Sequence, residues 1–160
     1  MRTRGYLPHL EEENGIYFIT FRLAGTIPFR LIRKWELEKK LILEAAAQQR
    51  RKLTPFEVRR LNDLQFARID EYLDRGLGSC WLSSSSVAEM VVNAMKYFDG
   101  DRYHLDTWCV MPNHVHSIVE PIGGWKLANV LHSWKSFTST EANRILNRKG
   151  NFGRESIMID

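Results

Sequence analysis

His114 and His116, set two residues apart, are the pair in this sequence whose type and spacing best suit chemistry. On an extended strand residues i and i+2 project from one face, with Cα atoms about 7 Å apart. Two imidazoles so placed can converge on one cation while Val115 between them points the other way into a core. Met111-Pro112-Asn113 supplies the tight turn that delivers such a strand. A divalent ion held by two neutral imidazoles keeps positions open for water and phosphate oxygens, polarises a phosphoryl oxygen and neutralises charge as a phosphorane forms. Imidazole favours transition metals, so Mn²⁺ is expected to bind more tightly than Mg²⁺. A third ligand, a carboxylate or amide from another element, is expected without being identified by spacing. A bare pair of this kind is more often two surface histidines that hold nothing. His9, His104 and His132 are read in that blander way, with His104 on a neighbouring strand whose outward side the sequence leaves open.

The elements that must position this pair follow from periodicity. Ile16–Leu23 alternates as a half-buried strand, with Tyr17, Ile19, Phe21 and Leu23 on one face and Thr20 and Arg22 on the other. Gly25 and Pro28 break it. Phe29–Arg50 is rich in helix formers. Thr54-Pro55 opens a second helix with proline at its first position, running over Phe56–Leu73. The serine run Ser83–Ser86 supplies an N-cap, at Ser85 or Ser86. Val87, Met90, Val91, Ala94, Met95 and Phe98 then recur at helical spacing as a core stripe. Tyr103–Met111 and Asn113–Glu120 form an antiparallel hairpin. Trp125–Asn147 is a last helix that buries Leu127, Val130, Leu131, Trp134, Thr138 and Ile145. Phe152–Ile159 remains to supply a fourth strand. This order predicts an α+β fold of the ferredoxin-like kind: an antiparallel sheet with helices on one face and a helical insertion after the first strand.

At 160 residues the chain is expected to form one domain with one core. Its 44% apolar and 26% charged residues are ordinary for a globular protein. No apolar run is long enough to span a membrane, and no apolar core follows Arg2 and Arg4 as in a signal peptide. A cytoplasmic protein without a membrane partner is expected. Cys80 and Cys109 are read as buried thiols. The net charge of +4 leans towards a polyanionic partner. Its distribution adds Lys126, Lys135, Arg148, Lys149 and Arg154 along the last helix and the tail as candidate phosphate contacts; an ordinary solvated basic face is the alternative.

Trp108-Cys109-Val110-Met111-Pro112-Asn113-His114-Val115-His116 resembles the signature of the single-tyrosine HUH transposases, with Val115 at the bulky apolar position. Arg4-Gly5-Tyr6-Leu7-Pro8-His9, Tyr17–Leu23, Gly78-Ser79-Cys80-Trp81-Leu82, Phe98–Tyr103 and Trp134-Lys135-Ser136-Phe137-Thr138 extend the likeness to the REP-associated tyrosine transposases. The resemblance implies single-stranded hairpin DNA as partner and Mg²⁺ or Mn²⁺ on His114 and His116. It implies a helix-borne tyrosine that attacks the scissile phosphate, giving a 5′-phosphotyrosine and a free 3′-hydroxyl. The matching tyrosine should fall near Ile157 or Met158, and neither carries a hydroxyl. Ser156 has no activating neighbour in sequence, and Tyr6, Tyr17, Tyr72, Tyr97 and Tyr103 are read as packing residues. The family also continues beyond this point, so a chain cut short at its C-terminus is expected. Three functions stay open: a transposase by descent with impaired activity, a non-catalytic hairpin-DNA-binding module, or a metal-dependent phosphodiesterase using water. Monomer and homodimer are both compatible with the sequence.

Overall fold

The computed structural model describes residues 15–23, 25–148 and 157–159, the last three as backbone. The chain folds as two compact units. One contains the first strand and everything from Trp81 onward; the other is Gly25–Cys80.

The first unit is an α+β sandwich. Its strands are β1 (Tyr17–Phe21), β2 (Tyr103–Val110), β3 (Val115–Pro121) and β4 (Ile157–Ile159), all paired antiparallel in the order β2-β3-β1-β4. That order, with a helix between β1 and β2 and another between β3 and β4, is the ferredoxin-like arrangement expected from the sequence. The two helices are α4 (Ser85–Lys96) and α5 (Leu127–Ile145). Their apolar stripes meet one face of the sheet: Ile19 and Phe21 of β1, Tyr103 and Leu105 of β2, and Val115 and Val119 of β3 pack with Val87, Val91 and Met95 of α4 and with Leu127, Val130, Leu131, Trp134 and Ala142 of α5. Ile145 is only partly buried, and Ala142 takes the place expected for it. Trp134 Nε1 donates to the Tyr103 hydroxyl at 2.9 Å, and that hydroxyl donates to the Met95 carbonyl oxygen at 2.6 Å. Both polar handles are therefore satisfied inside the core, where an unpaired one would cost about 1–3 kcal/mol.

The second unit holds the helical insertion, with α1 (Phe29–Gln48), α2 (Pro55–Asn62) and α3 (Arg68–Asp74) around Ile27, Trp35, Leu64 and Leu73. The start of α2 is the one expected. Thr54 accepts from the Glu57 backbone, and the Glu57 carboxylate accepts from the Thr54 backbone N–H at 2.8 Å, which is a complete capping box. The expected single helix Phe56–Leu73 is instead two helices joined by a π-helical turn, Asp63–Ala67. Gly78 has φ +85°, and a side chain there would strike the Thr26 carbonyl oxygen, so glycine is required on both counts.

Three further expectations need correction. The cap of α4 is Ser84, one residue before the expected Ser85 or Ser86, and its hydroxyl meets Ser86 Oγ rather than a backbone N–H. Cys109 is exposed, not buried. The reason is a bulge between Leu105 and Thr107, where one extra residue reverses the alternation of β2. Tyr103 and Leu105 face the helices, whereas beyond the bulge Cys109 pairs with His116 and turns to the other face. Cys80 is also exposed; its Sγ lies near the Gly76 and Gly78 carbonyl oxygens in a loop.

Candidate metal centre and phosphate contacts

His114 closes the turn before β3, and His116 is the second residue of that strand. Along β3, Val115, Ser117 and Val119 are buried on the helix-covered face, and His116, Ile118 and Glu120 alternate with them. As expected, the two imidazoles point to one side: His114 Nε2 and His116 Nε2 are 2.9 Å apart, with the rings nearly perpendicular at 82°. Two nitrogens bound at about 2.1 Å to adjacent positions of one octahedral ion would be separated by about 3.0 Å.

The outer nitrogens explain how the rings are held. Asn113 Oδ1 lies 2.7 Å from His114 Nδ1, and Thr20 Oγ1 lies 3.2 Å from His116 Nδ1. Asn113, Thr20 and His114 are each about 1% exposed. Thr20 comes from β1, where it pairs directly with His116 across the sheet. Phe18, two residues earlier on the same face, stacks on the His116 ring with centroids 5.1 Å apart. With its proton on Nδ1, donated to Asn113 or Thr20, each imidazole turns the bare lone pair of Nε2 towards the other. Two lone pairs at 2.9 Å repel unless a proton or a cation lies between them. The donor set therefore fits a divalent cation, and the buried outer partners are of the kind that orient metal-bound histidines.

Arg22, two residues beyond Thr20, was not singled out by sequence. It is 5% exposed and lies close enough to Lys135 of α5 to act on its charge. Burial, and next to it the Arg22 guanidinium, hold the Lys135 ammonium below the usual lysine range. The Arg22 charge acting on the part-buried Lys135 ammonium favours an anion such as a phosphate nearby. The period of two marked Arg22 as facing away from the core, which is the signal that could have found it.

Two of the other basic candidates are placed elsewhere on the unit. Lys126 is the N-cap of α5 and exposed. Nine residues along a helix is two and a half turns, so Lys126 and Lys135 flank opposite sides of the buried stripe. Arg148, past the far end of α5, stacks over Trp81 at 4.4 Å. Lys149 and Arg154 lie outside the described residues, as do His9, Tyr6 and Ser156. His104 is exposed on β2 opposite Glu120, and His132 is exposed on α5.

The expected fourth strand is β4, Ile157–Ile159, in the segment where the resemblance would place a helix-borne tyrosine. Ile157 pairs with Phe21 and Met158 with Thr20, so residue 158 stands in the same cross-strand row as His116. Tyr103 is no substitute nucleophile, since burial pushes its phenol up and its oxygen is engaged in the core. Tyr97, expected to be a packing residue, is instead 76% exposed as the C-cap of α4. No helix among the described residues is long and apolar enough to cross a membrane. Compared with known proteins, the chain matches no family model, no curated protein and no solved structure.

Proposed function

We propose that this chain is an HUH-type DNA-processing domain of the transposase kind, a cytoplasmic protein that binds single-stranded hairpin DNA and holds Mn²⁺ or Mg²⁺ on His114 and His116 against a backbone phosphate. The observation that carries this reading is the 2.9 Å approach of two Nε2 atoms whose Nδ1 atoms are both tied to neighbours. The cation would supply Lewis-acid polarisation of the phosphoryl oxygen. The protein's own part is orientation and charge. The Asn113 amide oxygen keeps the His114 proton on Nδ1 and its lone pair on Nε2, and Thr20 orients the His116 ring. Phe18 fixes the plane of His116. Arg22 and Lys135 offer positive charge where phosphate oxygens carry negative charge.

A second reading, hairpin-DNA binding without cleavage, is favoured by one specific observation. Ile157 and Met158, where the resemblance requires a tyrosine, offer no hydroxyl. Metal binding and phosphate contact need no phenol, whereas a reversible covalent link to DNA does. The test is incubation with end-labelled hairpin DNA and Mn²⁺, followed by a binding assay and a denaturing gel. Metal-dependent binding with no adduct supports the second reading, an adduct supports full transposase chemistry, and failure to bind DNA rejects both.

A further inference from the structure

We infer that the helix-covered side of the first unit carries a second single-stranded-DNA subsite, a stacking groove between α4 and α5, separate from the histidine pair. It rests on the DNA-binding reading above and adds to it a surface on the opposite face of the sheet. Two adjoining recesses make the groove. One, of about 440 Å³, is apolar and lined by Ala94, Tyr97, Phe98, Trp134 and Phe137. The other, of about 620 Å³, is polar and lined by Arg102, Asn129, His132, Ser136 and Thr140. Ser133 and Phe137 border both, so the two adjoin.

The occupant follows from this pairing of chemistries. Tyr97 is 76% and Phe137 52% exposed, a high exposure for rings facing an apolar recess. Such rings stack on bases of any sequence. Beside them the Arg102 guanidinium is sandwiched between Phe98, at 3.3 Å from the ring centroid, and Trp125, at 4.4 Å. This clamp holds a cation at the border of the polar recess, where hydroxyls and an amide can complete the coordination of a phosphate. Glu141 also lines that recess, but its carboxylate is paired with Arg144 at 2.9 Å. A ring slot next to a fixed guanidinium matches one nucleotide of a strand, base in the first recess and phosphate in the second. A purely apolar helix from a partner would leave the hydroxyl row of the polar recess without counterparts.

The test uses the full chain and a fluorescent single-stranded oligothymidylate without metal, followed by anisotropy. Tyr97→Ala and Phe137→Ala are exposed positions, so melting temperature should hold while affinity falls about five-fold or more for each. Arg102→Gln should flatten the salt dependence by about one unit of slope. The His114→Ala, His116→Ala double variant should keep this metal-free binding, so a failed metal centre leaves the groove standing and a failed groove leaves the metal centre standing. Unchanged affinity in both aromatic variants would overturn the proposal. So would a dimer that Phe137→Ala dissociates without loss of oligonucleotide affinity, because the groove would then seat a second copy. Competition by free thymidine monophosphate as effective, nucleotide for nucleotide, as the oligomer would overturn it in favour of a free-nucleotide pocket.

Discussion

Thr20 Oγ1 of β1 lies 3.2 Å from His116 Nδ1 of β3, a contact between residues 96 positions apart. It makes the first strand part of the candidate metal centre, because the hydroxyl holds the outer nitrogen of His116 and so orients the ring. The Asn113 amide does the same for His114 from within the turn. The centre therefore consists of two ligands and two buried supports, and each can be removed separately.

Removing ligands and supports should give graded losses of metal. The His114→Ala, His116→Ala double variant should abolish Mn²⁺ binding measured by titration calorimetry or paramagnetic relaxation. Thr20→Val and Asn113→Leu keep the ligands but free the rings, and should cost about 10–100-fold in affinity. Equal Mn²⁺ affinity in the double variant and the parent would end the metal reading.

Lys135 offers a trade between stability and binding. Burial and the Arg22 charge disfavour its protonated form, so the folded state is penalised at every pH below the lowered folded value and relieved as pH rises through it. Lys135→Met should raise the melting temperature at neutral pH and weaken hairpin-DNA binding. A rise in stability with unchanged DNA affinity over several salt concentrations would show that the Arg22–Lys135 pair holds no phosphate.

The helical unit should lose stability in acid through Glu57. Its carboxyl is lowered from 4.5 to about 2, chiefly by the Arg51 guanidinium and next by the Thr54 backbone N–H. A depressed carboxyl contributes stability that is present above its unfolded value and lost as pH falls towards the folded one. Helical circular dichroism should therefore decline between about pH 4.5 and about pH 2. In Glu57→Gln that decline should shrink, from a lower starting stability at neutral pH. An identical acid profile in the two proteins would remove the capping box as its cause.

Covalent chemistry gives the sharpest outcome. A metal centre can stabilise charge on phosphate, but strand transfer needs a nucleophile that stays attached to the DNA. A phenol with a pKa near 10 is suited to forming and reversing that link. Ile157 and Met158 carry no such oxygen, and the Tyr103 oxygen is enclosed in the core. Labelled hairpin DNA with Mn²⁺ should show binding and no adduct on a denaturing gel. A band that survives denaturation would reveal a nucleophile elsewhere in the chain.

The sequence by itself determined what depends on near neighbours. The spacing of His114 and His116 sets them on one side of a strand, the alternation in Tyr17–Phe21 sets its core face, and Thr54-Pro55 with Glu57 starts a helix. These are periodicities and caps, decided within a few residues. The tertiary structure alone decided what depends on distant segments. The bulge in β2 turned Cys109 to the face of His116, where its apolar character predicts burial. The pairing of β1 with β3 brought Thr20 to His116, and the packing of α5 brought Lys135 near Arg22. The pairing of the expected last strand with β1 set residue 158 in the row of His116. Register and bulges arise from competition among whole-sheet pairings, in which a shift of one residue exchanges the two faces of a strand, and no local pattern records which shift wins.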